Sequence, residues 1–181
     1  MQTRSTNDLI SRRYHEVFGA TMRLGFDHWI QSGNEAGAAL GFRRAGSEPL
    51  YLESYLDCSI EELVSTTLGK PVERSAIIEI RNFAADNALA MVELWGRASN
   101  DLGHNGEVAA ATLTAPLRRM FSRIGVPIIA LAPARPERLG KQAEQWGSYY
   151  ASDPMVCIGV IAQGQAAIGA FLARRQRKAA A

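Results

Sequence analysis

Hydrophobic and polar positions along the chain follow two periods, and the switches between them sketch the fold. The run Ala76 to Phe83 has the period of two expected of a strand. It puts Ile77, Glu79, Arg81 and Phe83 on one face and Ala76, Ile78, Ile80 and Asn82 on the other. Segments Thr21 to Ile30 and Ala36 to Arg44 have the aromatic, apolar and turn content of antiparallel strands, with Gly33 and Asn34 as a hairpin turn between them. Leu50 to Tyr55, Glu107 to Leu113, Val126 to Leu131 and Met155 to Ala162 complete the predicted strands.

The helical period appears between them. A short helix is expected over Asn7 to Phe18. Ser59 as N-cap, Glu62 three residues on and Ile60, Leu63, Val64 and Leu68 on one face predict a second, which Gly69 and Pro71 stop. A third starts near Asp86 with Leu89, Val92 and Trp95 inward and ends at Gly103. Thr114 and Pro116 open a fourth, with Leu117, Met120, Phe121 and Ile124 on one side before Gly125. Glu137 to Trp146 reads as a further helix, and Ala166 to Lys178 as a basic amphipathic helix or frayed tail. Antiparallel strands, then strand–helix–strand crossovers and a late return strand describe an α/β protein of the α+β type: a mixed, largely antiparallel sheet flanked by helices. The organisation expected is one domain over residues 1–165 and a basic C-terminal segment over 166–181.

Composition narrows the function classes. The 181 residues, 47% hydrophobic and 21% charged, are ordinary for one globular domain with a substantial core. A net charge of +2 does not suggest nucleic-acid binding, although Arg118, Arg119 and Arg123 cluster, as do Arg174, Arg175, Arg177 and Lys178. Cys58 and Cys157, without a CxxC, indicate neither a disulfide framework nor a zinc site, and His15, His28 and His104 share no ligand spacing, so no metal is expected. The polar N-terminus lacks the apolar core of a secretory signal, and no run approaches the ~20 apolar residues of a membrane span. A cytoplasmic location is the expectation.

The chemistry concentrates in Ser75 to Asn87, SAIIEIRNFAADN. Burying an ionised group costs on the order of several kcal/mol unless it is paired, so Glu79 and Arg81 on one strand face are either a bridge or a site. A carboxylate in such a strand has its pKa raised, which suits a general base; the alternative is a bridge from Glu79 to Arg81 or Arg23. Period two also puts Glu53 between Tyr51 and Tyr55, an arrangement suited to recognising an ammonium group or to a hydrogen-bonded sheet face. Trp29, Phe26 and Trp146 are either pocket aromatics or core.

The segments LYLESYLDCSIEEL, RSAIIEIRNFA, TLTAPLRRMFSRIGVPIIALAPA and QWGSYYASDPMVCIG resemble the thermostable haemolysin family, over roughly residues 14 to 163. That pattern is in turn similar to the acyl-homoserine-lactone synthases, with Arg23, Phe26 and Trp29 in RLGFDHW, the strand IIEIRNFA and a threonine-bearing strand before LRRMFSRIG as local matches. The resemblance implies a GNAT-type acyltransferase fold and an N-acyltransferase. Lactone synthases carry an acidic block where this chain has QSGNEAGAALGFRRAG, so lactone synthesis itself is not expected.

GNAT enzymes have a glycine-rich phosphate loop where this chain has RNFAADNALA, which favours an acyl carrier protein over coenzyme A as donor, with acyl-phosphopantetheine as substrate and no resident cofactor. Arg118, Arg119 and Arg123 would face the acidic carrier. The resemblance further implies that Asn82 and Thr112 border the substrates where the strands splay, and that Tyr149 or Tyr150 protonates the leaving thiolate. The acceptor expected is a small amine or amino-acid-like molecule. Two other readings stand beside this one: a membrane-active protein, suggested by the family name and the basic tail, and a non-catalytic partner of the carrier protein.

Overall fold

The computed structural model describes residues 6–21, 28–32 and 37–180. Among the described residues six strands form one sheet: β1 (His28–Ser32), β2 (Ala38–Arg44), β3 (Ile77–Ala85), β4 (Val108–Leu113), β5 (Ile129–Pro133) and β6 (Met155–Val160), in the order β1-β2-β3-β4-β6-β5. Only β3 and β4 run parallel, as their helical crossover requires; the other neighbours are antiparallel. The helices are α1 (Thr6–Phe18), α2 (Ile60–Leu68), α3 (Ala88–Gly103), α4 (Ala115–Ile124) and α5 (Ile161–Ala179). This is the expected mixed, largely antiparallel α/β architecture.

Each sheet face has its own core. Leu40, Ile78, Ile80, Ala111 and Cys157 pack against Leu94, Trp95 and Ala98 of α3, Phe121 of α4 and Ile168 of α5. On the other face Ile77, Val108, Ala110, Val156 and Ile158 pack against Leu52, Tyr55, Ile60 and Val64. A third cluster, Leu9, Ile10, Tyr14, Trp146 and Tyr149, lays α1 across β2 and β3.

Several elements differ from the sequence expectation. Leu50 to Tyr55 is no strand: Tyr51–Tyr55 forms a 3-10 turn with Leu52 and Tyr55, three apart, both buried. Glu137 to Trp146 is no continuous α-helix but 3-10 turns over Pro136–Trp146, broken at Gly140, whose φ is 55°. Strand β5 starts later than expected because Val126 closes α4, its N–H donating to Phe121 O at 3.0 Å beyond a left-handed Gly125. Strand β6 ends at Val160 and α5 begins at once, so the basic segment is the outer part of a longer helix whose Ile168 is buried against the core. The proposed Gly33–Asn34 turn, together with Arg23 and Phe26, lies outside the described residues.

Candidate active site

The strand carrying Glu79 changes face partway along. Ala39 of β2 pairs with Ala84 but Gly41 pairs with Arg81, so β3 has one residue more than its partner, a bulge. Asn82 takes it up with φ 50°. Beyond it the alternation is reset: Phe83, expected beside Glu79 and Arg81, packs instead with Ile78 and Ile80 against Trp95, ring centroids 5.4 Å apart. Pairing of β3 with β4 ends at Ile80–Ala111, so Arg81 and Asn82 on one strand and Thr112 on the other stand on the two arms of a fork.

One face of the fork holds a pocket lined by Glu79, Arg81, Asn82, Thr112, Tyr14, Tyr51, Tyr55, Trp146 and Tyr149, with Ile80 and Phe83 of β3 also on its wall. Of the sequence candidates it gathers Glu79, Arg81, Asn82, Thr112, Tyr55, Trp146 and Tyr149, and it adds Tyr14 and Tyr51. Their rings fix one another: the Trp146 indole N–H donates to the Tyr51 hydroxyl at 3.1 Å, and the Tyr149 hydroxyl donates to Thr112 O at 3.4 Å. Tyr55 and Tyr150 share a hydroxyl–hydroxyl hydrogen bond of 2.8 Å, which makes Tyr150 a support behind Tyr55. Burial pushes the Tyr149 phenol well above its ordinary range, so it stays a proton donor at neutral pH.

Glu79 is 1% exposed. Its Oε1 accepts from Leu52 N–H at 2.8 Å and its Oε2 from Tyr51 N–H at 3.1 Å, so the carboxylate holds the start of the 3-10 turn that brings Tyr51 and Tyr55 to the pocket. Burial raises its pKa, opposed by Arg81 and by the two N–H donors. The Arg81 guanidinium lies over the Tyr51 ring, 3.8 Å from its centroid, and burial lowers its pKa while Glu79 raises it.

Glu53 does not line this pocket; with the turn in place of a strand it is turned to Arg74, whose Nη1 and Nη2 meet Oε1 and Oε2 at 2.7 and 2.8 Å. The same carboxylate accepts from Leu50 N–H at 2.6 Å and from Ile60 N–H at 2.9 Å, taking the N-terminal role expected of Ser59. Its two oxygens are saturated within the fold, an arrangement that ties the turn to α2 and leaves no place for an ammonium ligand. Trp29 is half-buried on β1, packed beside the α1 cluster.

The opposite face of the fork holds an apolar cavity bounded by Ile80, Ala111, Leu113, Trp95, Ala98 and Phe121, with Cys157, Ile158 and Gly164 beyond. Near the start of α3 and α4 a wider open groove has Leu89, Val92, Leu117 and Met120 as its floor and Arg13, Arg119, Arg123 and Arg175 around it. Arg119 and Arg123 are exposed, as expected. Arg118 is instead committed to the fold, donating to Leu113 O at 2.7 Å and to Asp153 O at 2.6 Å and pairing with the Asp153 carboxylate. Among the described residues no three His, Cys, Asp or Glu side chains group to hold a metal, and no helix is long and apolar enough to cross a membrane.

The fold of this sheet is shared with solved structures of acyl-transferring synthases. LasI, an AHL synthase, superposes with a TM-score of 0.59 at 11% identity over 92% of this chain and 86% of its own. FeeM, an N-acyl amino acid synthase from uncultured soil microbes, gives 0.57 at 13% over 89% and 91%. TofI, solved with an inhibitor and MTA, gives 0.56 at 19% over 91% and 89%. Residues 1–165 match the thermostable hemolysin profile, and the chain belongs to that family. No curated protein matches it.

Proposed function

We propose that the protein is an N-acyltransferase that moves an acyl chain from a carrier-protein thioester to a small amine or amino-acid-like acceptor. The observation that carries this reading is the fork between β3 and β4, with an apolar cavity on one face and a polar, ring-walled pocket on the other. An acyl chain suits the first and an amine the second, and Ile80, at the last β3–β4 pair, lines both. Glu79 accepts the proton of the amine, whose nitrogen attacks the thioester carbonyl; Tyr149, held protonated by burial, stands on the pocket wall to supply the departing sulfur. Asn82 and Thr112 line the gap where the reacting carbonyl would sit.

The donor reading is supported by the approach to α3. Its N-terminus is capped by Asn87, whose Oδ1 accepts from Ala90 N–H at 2.9 Å, in a stretch without the glycines that let a backbone close on pyrophosphate. The arginines around the neighbouring groove suit an acidic protein surface, and coenzyme A remains the competing donor. Incubation with acyl-carrier-protein and acyl-coenzyme A thioesters and an amine panel, read by mass spectrometry of the amides, tests the reading. Amide formation from the carrier-bound donor is expected; failure of any thioester to be discharged overturns it.

A further inference from the structure

We propose that the apolar cavity takes a chain bearing a hydroxyl group, whose oxygen accepts from the Trp95 indole N–H and whose hydrogen is donated to Ser99 Oγ. The proposal rests on the acyl-transfer reading above and goes beyond it in naming a substituent of the donor chain. The observation behind it is an unmet donor. Trp95 of α3 is 8% exposed, and its buried indole N–H meets no acceptor among the described residues. An unmet buried donor keeps the full penalty of leaving water, so native folds hold few of them and each calls for a reason.

The neighbours of the ring supply no substitute. Trp95 packs against Phe83 and Phe121, with centroids 5.4 and 5.0 Å away, and an aromatic face is only a weak acceptor. Trp95 also forms part of the wall of the apolar cavity. Two other polar side chains line that cavity, and both have their hydrogen engaged: Ser99 Oγ donates to Gly96 O at 2.9 Å and Cys157 Sγ to Met155 O at 3.5 Å. The serine oxygen keeps its lone pairs, whereas the indole nitrogen can only donate. Four residues apart on α3, Trp95 and Ser99 are neighbours on one helix face.

A wall of hydrocarbon thus carries one donor and one acceptor side by side. A hydroxyl group, which accepts once and donates once, satisfies both; a ketone oxygen meets the indole alone, and a methylene meets neither. The cavity volume of about 70 Å³ is room for about two groups the size of a water, at ~30 Å³ each. A carbinol unit, one carbon with its oxygen, is of that size. Ile80 lines both this cavity and the Glu79 pocket, which puts the substituted carbon close to the thioester carbonyl. A lone water would make the same two hydrogen bonds, and it is one outcome of the test.

Hexanoyl thioesters of acyl carrier protein, plain or with a hydroxyl or oxo group at carbon 2 or carbon 3, are compared as donors to the amine panel. Separately, the indole N–H resonances of the isotope-labelled protein are followed by NMR with propan-2-ol, acetone and propane as probes, Trp95 being assigned by its loss in Trp95→Phe. A hydroxylated donor is expected to exceed the plain chain at least about tenfold in kcat/KM, with the oxo chain between. Propan-2-ol should move the Trp95 resonance downfield and propane should not. Ser99→Ala should bring hydroxy and oxo donors level, and the wild-type comparisons need no variant to fold. Equal use of plain and hydroxylated donors by the wild type, or preference for the oxo chain, overturns the proposal while leaving acyl transfer standing. A Trp95 resonance already at its hydrogen-bonded position and unmoved by every probe marks a resident water and overturns it too. Movement by propan-2-ol without discharge of any thioester supports the hydroxyl site and overturns the acyl-transfer reading instead.

Discussion

Arg74 meets Glu53 fork to fork, and every N–H of its guanidinium is used: Nε on Gly46 O, Nη1 on Glu53 and Glu61, Nη2 on Glu53 and Glu48 O. The arginine, foremost, holds the Glu53 carboxyl down to about 2, against 4.5 for an ordinary one. A depressed carboxylate stabilises the fold above its unfolded pKa, and that stability is lost as pH falls through the folded value. Denaturant titrations should lose on the order of 2–4 kcal/mol between about pH 4.5 and pH 2 from this group. Glu53→Gln should lower stability near pH 7 by about 3 kcal/mol and flatten that acid limb.

Glu79 has the opposite sign. Its pKa is raised by burial, so its ionised form opposes folding, and the stability associated with it is full at low pH and declines as pH rises through the folded pKa. Activity should move the other way, rising with pH as the carboxylate ionises, with a midpoint above the ordinary carboxylate range. Glu79→Gln should reduce kcat by roughly 100-fold and remove that limb of the rate profile. A variant with full activity and an unchanged profile would reduce Glu79 to a support for the 51–55 turn.

Gly147 has φ 56°, and a Cβ there would stand 2.0 Å from Phe18 O. That carbonyl already accepts from Ser148 N–H at 2.8 Å, which joins the Trp146–Tyr149 wall of the pocket to the end of α1. Gly147→Ala should therefore lose several kcal/mol and disturb tryptophan fluorescence. Gly125→Ala, at φ 84° with nothing within 4 Å, should cost only about 1–3 kcal/mol. Thermal melts of the two variants check the contrast.

The apolar cavity makes a separate prediction. Ala98 is buried on its wall, and Ala98→Leu should move the preferred donor to shorter acyl chains, with an overpacking cost of about 1–3 kcal/mol. Competition between thioesters of different chain length reads the shift, and the acceptor KM should stay unchanged.

Charge reversal at Arg119 and Arg123 together should slow carrier-protein association and weaken its salt dependence while leaving the melting temperature near that of the wild type. Reversal at Arg118 should instead destabilise the protein, because it unties Leu113 and Asp153. Stopped-flow binding and thermal melts separate the two.

The helices α3 and α4 and the strands β2, β3 and β4 were legible because burial on one face imposes a period that the sequence must keep. The turn at Tyr51–Tyr55 was not. LYLESY alternates like a strand, and what bends it is a bidentate arginine 21 residues downstream, which no local pattern reveals. Of the seven pocket residues named in advance, Glu79 and Arg81 follow from charges on a buried strand and Tyr55 and Trp146 from the placing of aromatics, whereas Asn82, Thr112 and Tyr149 came from the family resemblance. Tyr14 was missed because an aromatic on a helical stripe looks like core until its neighbours are known, and Tyr51 was read only as a flank of Glu53 on a strand that does not form. The bulge was equally hidden: Asn82 tolerates a positive φ, but nothing adjacent announces the extra residue.

The parting of β3 from β4 places the two spaces on opposite faces of a single sheet, with Ile80 lining both. The residues that set the width of one space are not those that set the other, apart from Ile80 at the junction. Substitutions among Ala98, Ala111 and Phe121 would retune one ligand, and substitutions among Tyr14, Arg81 and Trp146 the other. On the acyl-transfer reading, a lineage with this architecture can vary either half of an amide product without rebuilding the half that already works.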